Sequence, residues 1–145
     1  MARILNDLDL VARKLDGDKW QLIDDLYYHV GGPDSTEVII VNKGFITDGA
    51  STPWGVRNLW PKDGTYTPCA AVHDLLYRYQ GILPIDNFTG PYMTYSRKRC
   101  DRIFIEAMKV KGVGWFTRQS FYTALRLGGW FSWNKKENQP GRKQS

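Results

Sequence analysis

The residues best suited to chemistry in this sequence are one histidine and the acids around it. His73 is followed directly by Asp74, and Tyr77 lies one helical turn further on, on the face of His73. Asp101 lies on the next predicted helix. If the two helices pack antiparallel, Asp101 can bind one imidazole nitrogen and leave the other to activate a water molecule. A buried structural histidine is the alternative interpretation, and both stay open at this point.

A second candidate is the polar stretch at residues 44–54. It offers side-chain oxygens at four of six consecutive positions: Thr47, Asp48, Ser51 and Thr52. The dipeptide Asp48-Gly49 is a strong turn signal, so we predict a turn that leads out of a sheet. The second interpretation is an oxygen-lined loop that helps to hold Ca²⁺. Trp54 begins an aromatic connector and is a candidate anchor.

Three predicted helices must position these residues. We predict the first at residues 67–81, with Thr67 as N-cap and Gly81 as the stop. The second runs from about 96 to 111, with Ser96 as N-cap and a glycine after its end. The third runs from about 115 to 127, carries Arg118 and Arg126, and is ended by the pair at 128–129.

Strands are predicted before these helices. Residues 20–30 indicate one strand with His29 at its end, residues 31–34 a turn, and residues 37–41 a second strand. Residues 1–19 are predicted to be a weakly ordered lead-in or a first strand, and residues 81–95 a functional or partner-contacting loop. The fold class is therefore α+β: a small N-terminal antiparallel sheet, then about three packed helices. We expect a single domain at residues 1–133 and a basic polar tail at 134–145.

Composition excludes several classes of protein. The 145 residues are 42% hydrophobic, which excludes general disorder, and no apolar run is long enough to cross a membrane. The N-terminus does not resemble a signal peptide. Two cysteines, Cys69 and Cys100, are too few for a disulfide framework or a thiolate zinc site. No specific nucleic-acid motif is present.

The charge is concentrated near the C-terminus. The net charge is +5, and residues 109–145 contain eight basic residues and one acid. This balance favours an acidic partner, such as a phospholipid surface, nucleic acid or an acidic protein patch, although ordinary solubility explains it as well.

The helix of His73 resembles the core of secreted phospholipases A2 and, more closely, the phospholipase domain of parvovirus capsids. The matching residues are those from Cys69 through His73-Asp74 to Tyr77, followed by Asp101 after a cysteine. The resemblance implies that His73 is the general base, Asp101 its orienting partner, Tyr77 a support and Asp74 a Ca²⁺ ligand.

The Gly-x-Gly calcium loop of those enzymes is absent here. The turn near Asp48 and Gly49 would therefore have to complete the Ca²⁺ site. We assign binding roles to five further residues: Thr47, Ser51, Trp54, Arg118 and Arg126.

A wider resemblance, over about residues 37–128, is to a family of uncharacterised phage and prophage proteins, domain of unknown function 1353. It is based on the stretches 45–53 and 70–77, on Asp101 with Phe104 and Met108, and on Tyr122 with Arg126. It implies a phage origin and no established activity. We therefore expect a protein made in the host cytoplasm and carried in the virion, with other phage structural proteins or a phospholipid surface as partners.

Three functional hypotheses follow. The first is a tail- or baseplate-type particle component with a hydrolase-like site, in which His73 activates water against an ester, most plausibly of a phospholipid. The second is a purely structural docking protein of the virion. The third is a metal-dependent phosphohydrolase that uses His29, His73, Asp74 and Asp101. Whether the protein is an enzyme stays open from the sequence.

Overall fold

The strands form two small sheets. The computed structural model describes residues 3–4, 12–15, 19–48, 67–91 and 93–134. Its strands are β1 Arg3–Ile4, β2 Ala12–Lys14, β3 Lys19–Leu22, β4 Leu26–His29, β5 Val38–Val41, β6 Ile46–Asp48 and β7 Phe88–Thr89. The larger sheet has the order β1-β4-β5-β7 and the smaller β2-β3-β6. All described pairings are antiparallel except that of β1 with β4.

The prediction of one continuous strand over residues 20–30 was wrong. β3 ends at Leu22 and β4 begins at Leu26, and the two strands belong to different sheets. The linking residues include two consecutive acids, which are unfavourable in a strand. Oδ1 of Asp25 accepts a hydrogen bond from the backbone N–H of Lys43 at 2.6 Å, which holds the chain where it changes sheets.

The predicted hairpin is confirmed. β4 pairs with β5 from Leu26 opposite Val41 to His29 opposite Val38. The turn between them contains Gly31 at φ 92°, a left-handed conformation that glycine adopts without a side-chain clash.

Three long helices follow the hairpin, as predicted. They are α1 Thr67–Arg78, α2 Arg97–Lys111 and α3 Trp115–Gly128. The side chain of Ser96 caps α2 by accepting a hydrogen bond from the N–H of Arg99 at 3.1 Å, and Gly112 ends it at φ 95°. The fold is a single-domain α+β fold.

Helix α3 ends at the glycine pair 128–129, as predicted, but helical hydrogen bonding continues beyond it. The N–H of Gly129 still bonds the carbonyl of Leu125 at 2.8 Å, and a short helix α4, Trp130–Trp133, follows. Sequence analysis did not predict α4, because two glycines in succession normally indicate the end of a helix.

Part of the predicted loop at residues 81–95 completes the larger sheet. A 3₁₀ turn, Ile85–Asn87, leads into β7, which pairs with β5. The side-chain amide of Asn87 donates to the carbonyl of Ile40 at 2.9 Å. This part of the segment therefore covers the sheet edge at β5.

Helix α1 is the centre of the core, since it contacts β5, β6, α2 and α4. The backbone N–H of Tyr95, just before α2, donates to the carbonyl of Gly81, just after α1, so the two helices run antiparallel. Cys69 on α1 and Cys100 on α2 are both buried and free. Within the part of the chain that the structure describes, no helix has both the length and the apolar character needed to cross a bilayer.

Candidate functional site

The centre of the site is the carboxylate of Asp101 on α2, which is fully buried. Its Oδ1 lies 3.0 Å from Nε2 of His73 and accepts a hydrogen bond from the hydroxyl of Tyr77 at 2.5 Å, both on α1. Its Oδ2 accepts a hydrogen bond from Nη1 of Arg126 on α3 at 2.8 Å. The antiparallel packing of α1 and α2 thus brings His73, Tyr77 and Asp101 together, as the sequence predicted.

These contacts determine the ionisation of Asp101. Burial alone would raise the pKa of this carboxyl group, but the interaction with His73, followed by the hydrogen bonds from Tyr77 and Arg126, outweighs it and lowers the pKa below its ordinary value. Burial, reinforced by the charge of Asp101, raises the pKa of Tyr77, so its hydroxyl remains protonated and donates.

The tautomer of His73 follows from this ionisation. An ionised carboxylate can only accept hydrogen bonds, so Nε2 of His73 must carry the proton that it shares with Asp101. In the neutral ring, Nδ1 then has a free lone pair. The arrangement therefore leaves one nitrogen able to accept a proton.

Aromatic rings fix the orientation of His73. Its ring centroid lies 4.2 Å from that of Tyr77 and 4.7 Å from that of Phe104 on α2. Phe104 contacts Phe121 of α3 edge to face at 6.1 Å. The imidazole is only 4% exposed, so the packing of α1, α2 and α3 sets its direction.

The polar stretch around Thr47, the second candidate from the sequence, contacts the helix that carries His73. Ile46–Asp48 forms strand β6 and pairs with β3, and the turn predicted at Asp48-Gly49 continues into residues outside the described ranges. Burial along this strand is the reverse of what hydrophobicity predicts, since the apolar Ile46 is exposed and the polar Thr47 is buried. Thr47 faces inward because its hydroxyl donates a hydrogen bond to Oδ2 of Asp74 on α1.

The described residues do not complete a Ca²⁺ site. Asp74 carries the bond from Thr47, and no group of three or more His, Cys, Asp or Glu side chains in the described ranges could hold a metal ion. The backbone of Asp48 pairs with Lys19. The predicted roles of Gly49, Ser51 and Trp54 fall on residues outside the described ranges.

Two other predicted residues lie elsewhere. Nη1 of Arg118 donates to the carbonyl of Val113 at 2.8 Å, at the start of α3. His29 lies on the hairpin, where its Nδ1 is 3.0 Å from the carbonyl of Ser35. Of the two arginines assigned to binding, only Arg126 reaches the site.

Sequence reasoning missed several residues around the site. Arg97 lies 3.7 Å from Oδ2 of Asp101 and donates to the carbonyl of Leu125 at 2.8 Å. Its spacing of four residues from Asp101 on one helix is a signal that could have found it. Trp133 packs edge-on to Tyr77 at 5.1 Å, and Gly129 lies so close that an added Cβ would be 2.6 Å from the Tyr77 hydroxyl. These two contacts depend on the unpredicted path of the chain after α3.

Comparison with known proteins identifies a family. The family model described as "Protein of unknown function (DUF1353)" matches residues 20–125, and the chain belongs to this family. The matched region contains His73, Tyr77 and Asp101, and Arg126 follows it directly. No curated protein and no solved structure matches the chain.

Proposed function

We propose that this member of the DUF1353 family is a bacteriophage particle component, of the tail or baseplate type, with a hydrolase site in which His73 activates water. The observation that supports catalysis is the buried carboxylate of Asp101 bonded to Nε2 of His73, because this contact orients the ring and leaves Nδ1 unprotonated. The phage assignment is based on the family resemblance of the motifs around His73 and Asp101.

The chemistry that fits this geometry is ester hydrolysis by general base catalysis. Nδ1 of His73 takes a proton from water while the water oxygen forms a bond to the ester carbonyl carbon. The imidazolium that results is stabilised by Asp101, at 3.0 Å from Nε2. When the carbon–oxygen bond to the leaving alcohol breaks, the same proton passes to the alcohol oxygen.

Arg126 and Tyr77 are positioning residues in this scheme. Each donates a hydrogen bond to Asp101, one to each carboxylate oxygen, so the carboxylate cannot rotate away from His73. His73 is only 4% exposed, so a substrate reaches Nδ1 only when the chain around the ring moves. We therefore expect slow turnover in the absence of a factor that opens the site.

A role for calcium is a separate hypothesis. Bound at Asp74, with Asp48 and Gly49, it would polarise the substrate carbonyl. The described residues do not complete such a site, so no step above depends on it. Its role stays a prediction, tested by comparing activity in Ca²⁺ with activity in a chelator.

The deciding experiment is hydrolysis of phospholipid in mixed micelles by the full chain. We expect His73→Gln to lower kcat at least about a hundredfold, the lower range for a positioned general base. The matched control is His29→Gln, because His29 is the other histidine of the chain and contacts Ser35 in the hairpin. Equal activities in the two variants would reject His73 as the base.

A structural docking role is the second candidate, and the burial of the same network favours it. His73 and Asp101 are almost closed to solvent, and no buried side-chain nitrogen or oxygen in the described ranges lacks a partner. If the wild type hydrolyses no ester while His73→Gln lowers stability, the network is structural. Mass spectrometry of purified phage particles tests whether the protein is in the virion at all.

A further inference from the structure

Large apolar side chains are exposed along the last two helices. Four of these side chains are between 53% and 76% exposed: Trp115, Phe116, Leu127 and Trp130. Together they form what we call the α3–α4 surface. Phe116 and Leu127 lie eleven residues apart, about three helical turns, and therefore share one face. Trp130 follows Leu127 by three residues, and the helical path continues through Gly129, so it extends the same face.

The segment that forms this surface carries basic residues and no acid. Residues 109–134 contain four basic residues and no acid. Glu106, the acid before this segment, binds the Tyr28 hydroxyl and the N–H of Gly31 at the sheet. Beyond it, residues 135–145 add four basic residues and one acid. Arg126 pairs with Asp101 and Arg118 donates to the carbonyl of Val113, so the net positive charge of this part of the sequence, rather than these two side chains, attracts an anionic partner.

We propose that the α3–α4 surface binds an anionic phospholipid bilayer, with its aromatic and leucine side chains among the headgroups and the basic residues at the phosphates. Tryptophan favours the membrane–water interface, and a helix with one apolar face and a basic surround lies in that interface. A second copy of the chain fits less well, because it would bring two basic surfaces together. The proposal deepens the proposed function by naming the surface that faces lipid, but binding itself requires no catalysis.

The same segment touches the candidate site. Arg126 of α3 bonds Asp101, Trp133 of α4 packs on Tyr77, and the side-chain amide of Gln80 donates to the carbonyl of Trp133. The lipid-facing helices and the His73 site therefore share contacts, and docking would place the site close to the bilayer.

The test is co-sedimentation of the full chain with vesicles. Vesicles of equal parts phosphatidylcholine and phosphatidylglycerol should bind the protein, pure phosphatidylcholine should bind it more weakly, and added salt should reduce binding. The double variant Phe116→Ser/Leu127→Ser should lower partitioning about tenfold or more, because two large apolar side chains are lost from the interface.

The matched control is Ile85→Ser. Ile85 is 81% exposed and lies in the 3₁₀ turn beside the larger sheet, so its replacement should leave vesicle binding unchanged. His73→Gln should also bind as the wild type does, which separates failure of this proposal from failure of the hydrolase. Circular dichroism checks that the variants are folded, as expected for the exposed positions Phe116, Leu127 and Ile85; it is the necessary control for the buried position His73.

Three results would overturn the proposal. One is absence of binding to anionic vesicles, which includes the case of a protein partner or a dimer on this surface. Another is unchanged binding by the double variant, which would assign binding to the basic residues alone. The third is an equal loss in Ile85→Ser.

Discussion

Helix α2 carries two carboxylates, and each accepts a hydrogen bond from a tyrosine hydroxyl. Asp101 accepts a hydrogen bond from the hydroxyl of Tyr77 on α1, and Glu106 accepts one from the hydroxyl of Tyr28 on β4. Burial raises the pKa of both tyrosines, and the neighbouring carboxylate adds to the effect, so both hydroxyls stay protonated donors. In each case a tyrosine–carboxylate contact fastens α2 to a neighbouring element.

The two sites differ in their remaining partners. Glu106 is partly exposed and accepts the backbone N–H of Gly31 at 3.0 Å, so it also holds the hairpin turn. Asp101 is fully buried, and its other partners are His73 and Arg126. A backbone N–H cannot pass on its proton, whereas an imidazole can. The histidine, rather than the carboxylate or the tyrosine, therefore distinguishes a candidate catalytic site from a structural one.

Replacing each carboxylate by its amide gives the largest expected contrast. Asp101→Asn removes the charge opposite Arg126 and should destabilise the fold by about 3 kcal/mol, as for a broken buried ion pair. Glu106→Gln should cost about 1 kcal/mol, because it weakens hydrogen bonds of a partly exposed group. Urea unfolding measures both values.

The same two variants should also differ in hydrolase activity. If His73 is the base, Asp101→Asn should lower kcat at least about a hundredfold, since the ring loses the group that fixes its tautomer. Glu106→Gln should leave kcat unchanged. Equal losses of stability and of activity in the two variants would contradict the distinction drawn between the two carboxylates.

The stability due to Asp101 should depend on pH in a defined direction. Its folded-state pKa is lowered, from an unfolded value of about 4. A group with a lowered folded-state pKa stabilises the fold above the unfolded value, and this contribution is lost as the pH falls through the folded-state pKa. The difference in unfolding free energy between wild type and Asp101→Asn should therefore shrink below about pH 4. A constant difference from pH 6 to pH 2 would show that Asp101 is not the titrating group.

The His73 side of this comparison was predictable from sequence because it depends on local rules. Helical spacing places His73 and Tyr77 on one face, and caps at Ser96 and Gly112 define α2. Packing two such helices antiparallel is enough to bring Asp101 to the imidazole.

The Glu106 side and the surroundings of Asp101 were not predictable in this way. The bond from Tyr28 to Glu106 joins positions 78 residues apart, and no local pattern indicates it. Thr47 lies in a polar, turn-prone stretch, and no local pattern indicated that it would pair with β3 as part of a strand. Tertiary contacts decided these cases over local preference.

Gly129 provides a way to disturb the surroundings of Asp101 from the chain that follows α3. A Cβ there would lie 2.6 Å from both the carbonyl of Leu125 and the hydroxyl of Tyr77, so Gly129→Ala should cost about 2 kcal/mol through overpacking. Its neighbour Gly128 has nothing within 4 Å of an added Cβ, and Gly128→Ala should be neutral or stabilising by up to about 1 kcal/mol. Thermal unfolding separates the two, and equal melting temperatures would show that the chain after α3 does not press on Tyr77.

The smallest expected effects come from the tyrosine pair, and they test the comparison most directly. Tyr77→Phe and Tyr28→Phe each remove one hydroxyl that donates to a carboxylate, so each should cost about 1 to 2 kcal/mol of stability. Only Tyr77→Phe should change activity, by a few-fold, because Arg126 still holds Asp101 through Oδ2 while Oδ1 loses one of its two donors. Similar stability losses with a change in kcat for Tyr77 alone would support a positioning role for Tyr77. If Tyr28→Phe lowered kcat equally, the whole fold rather than the His73 site would control activity, since the Tyr28 hydroxyl bonds Glu106 and not Asp101.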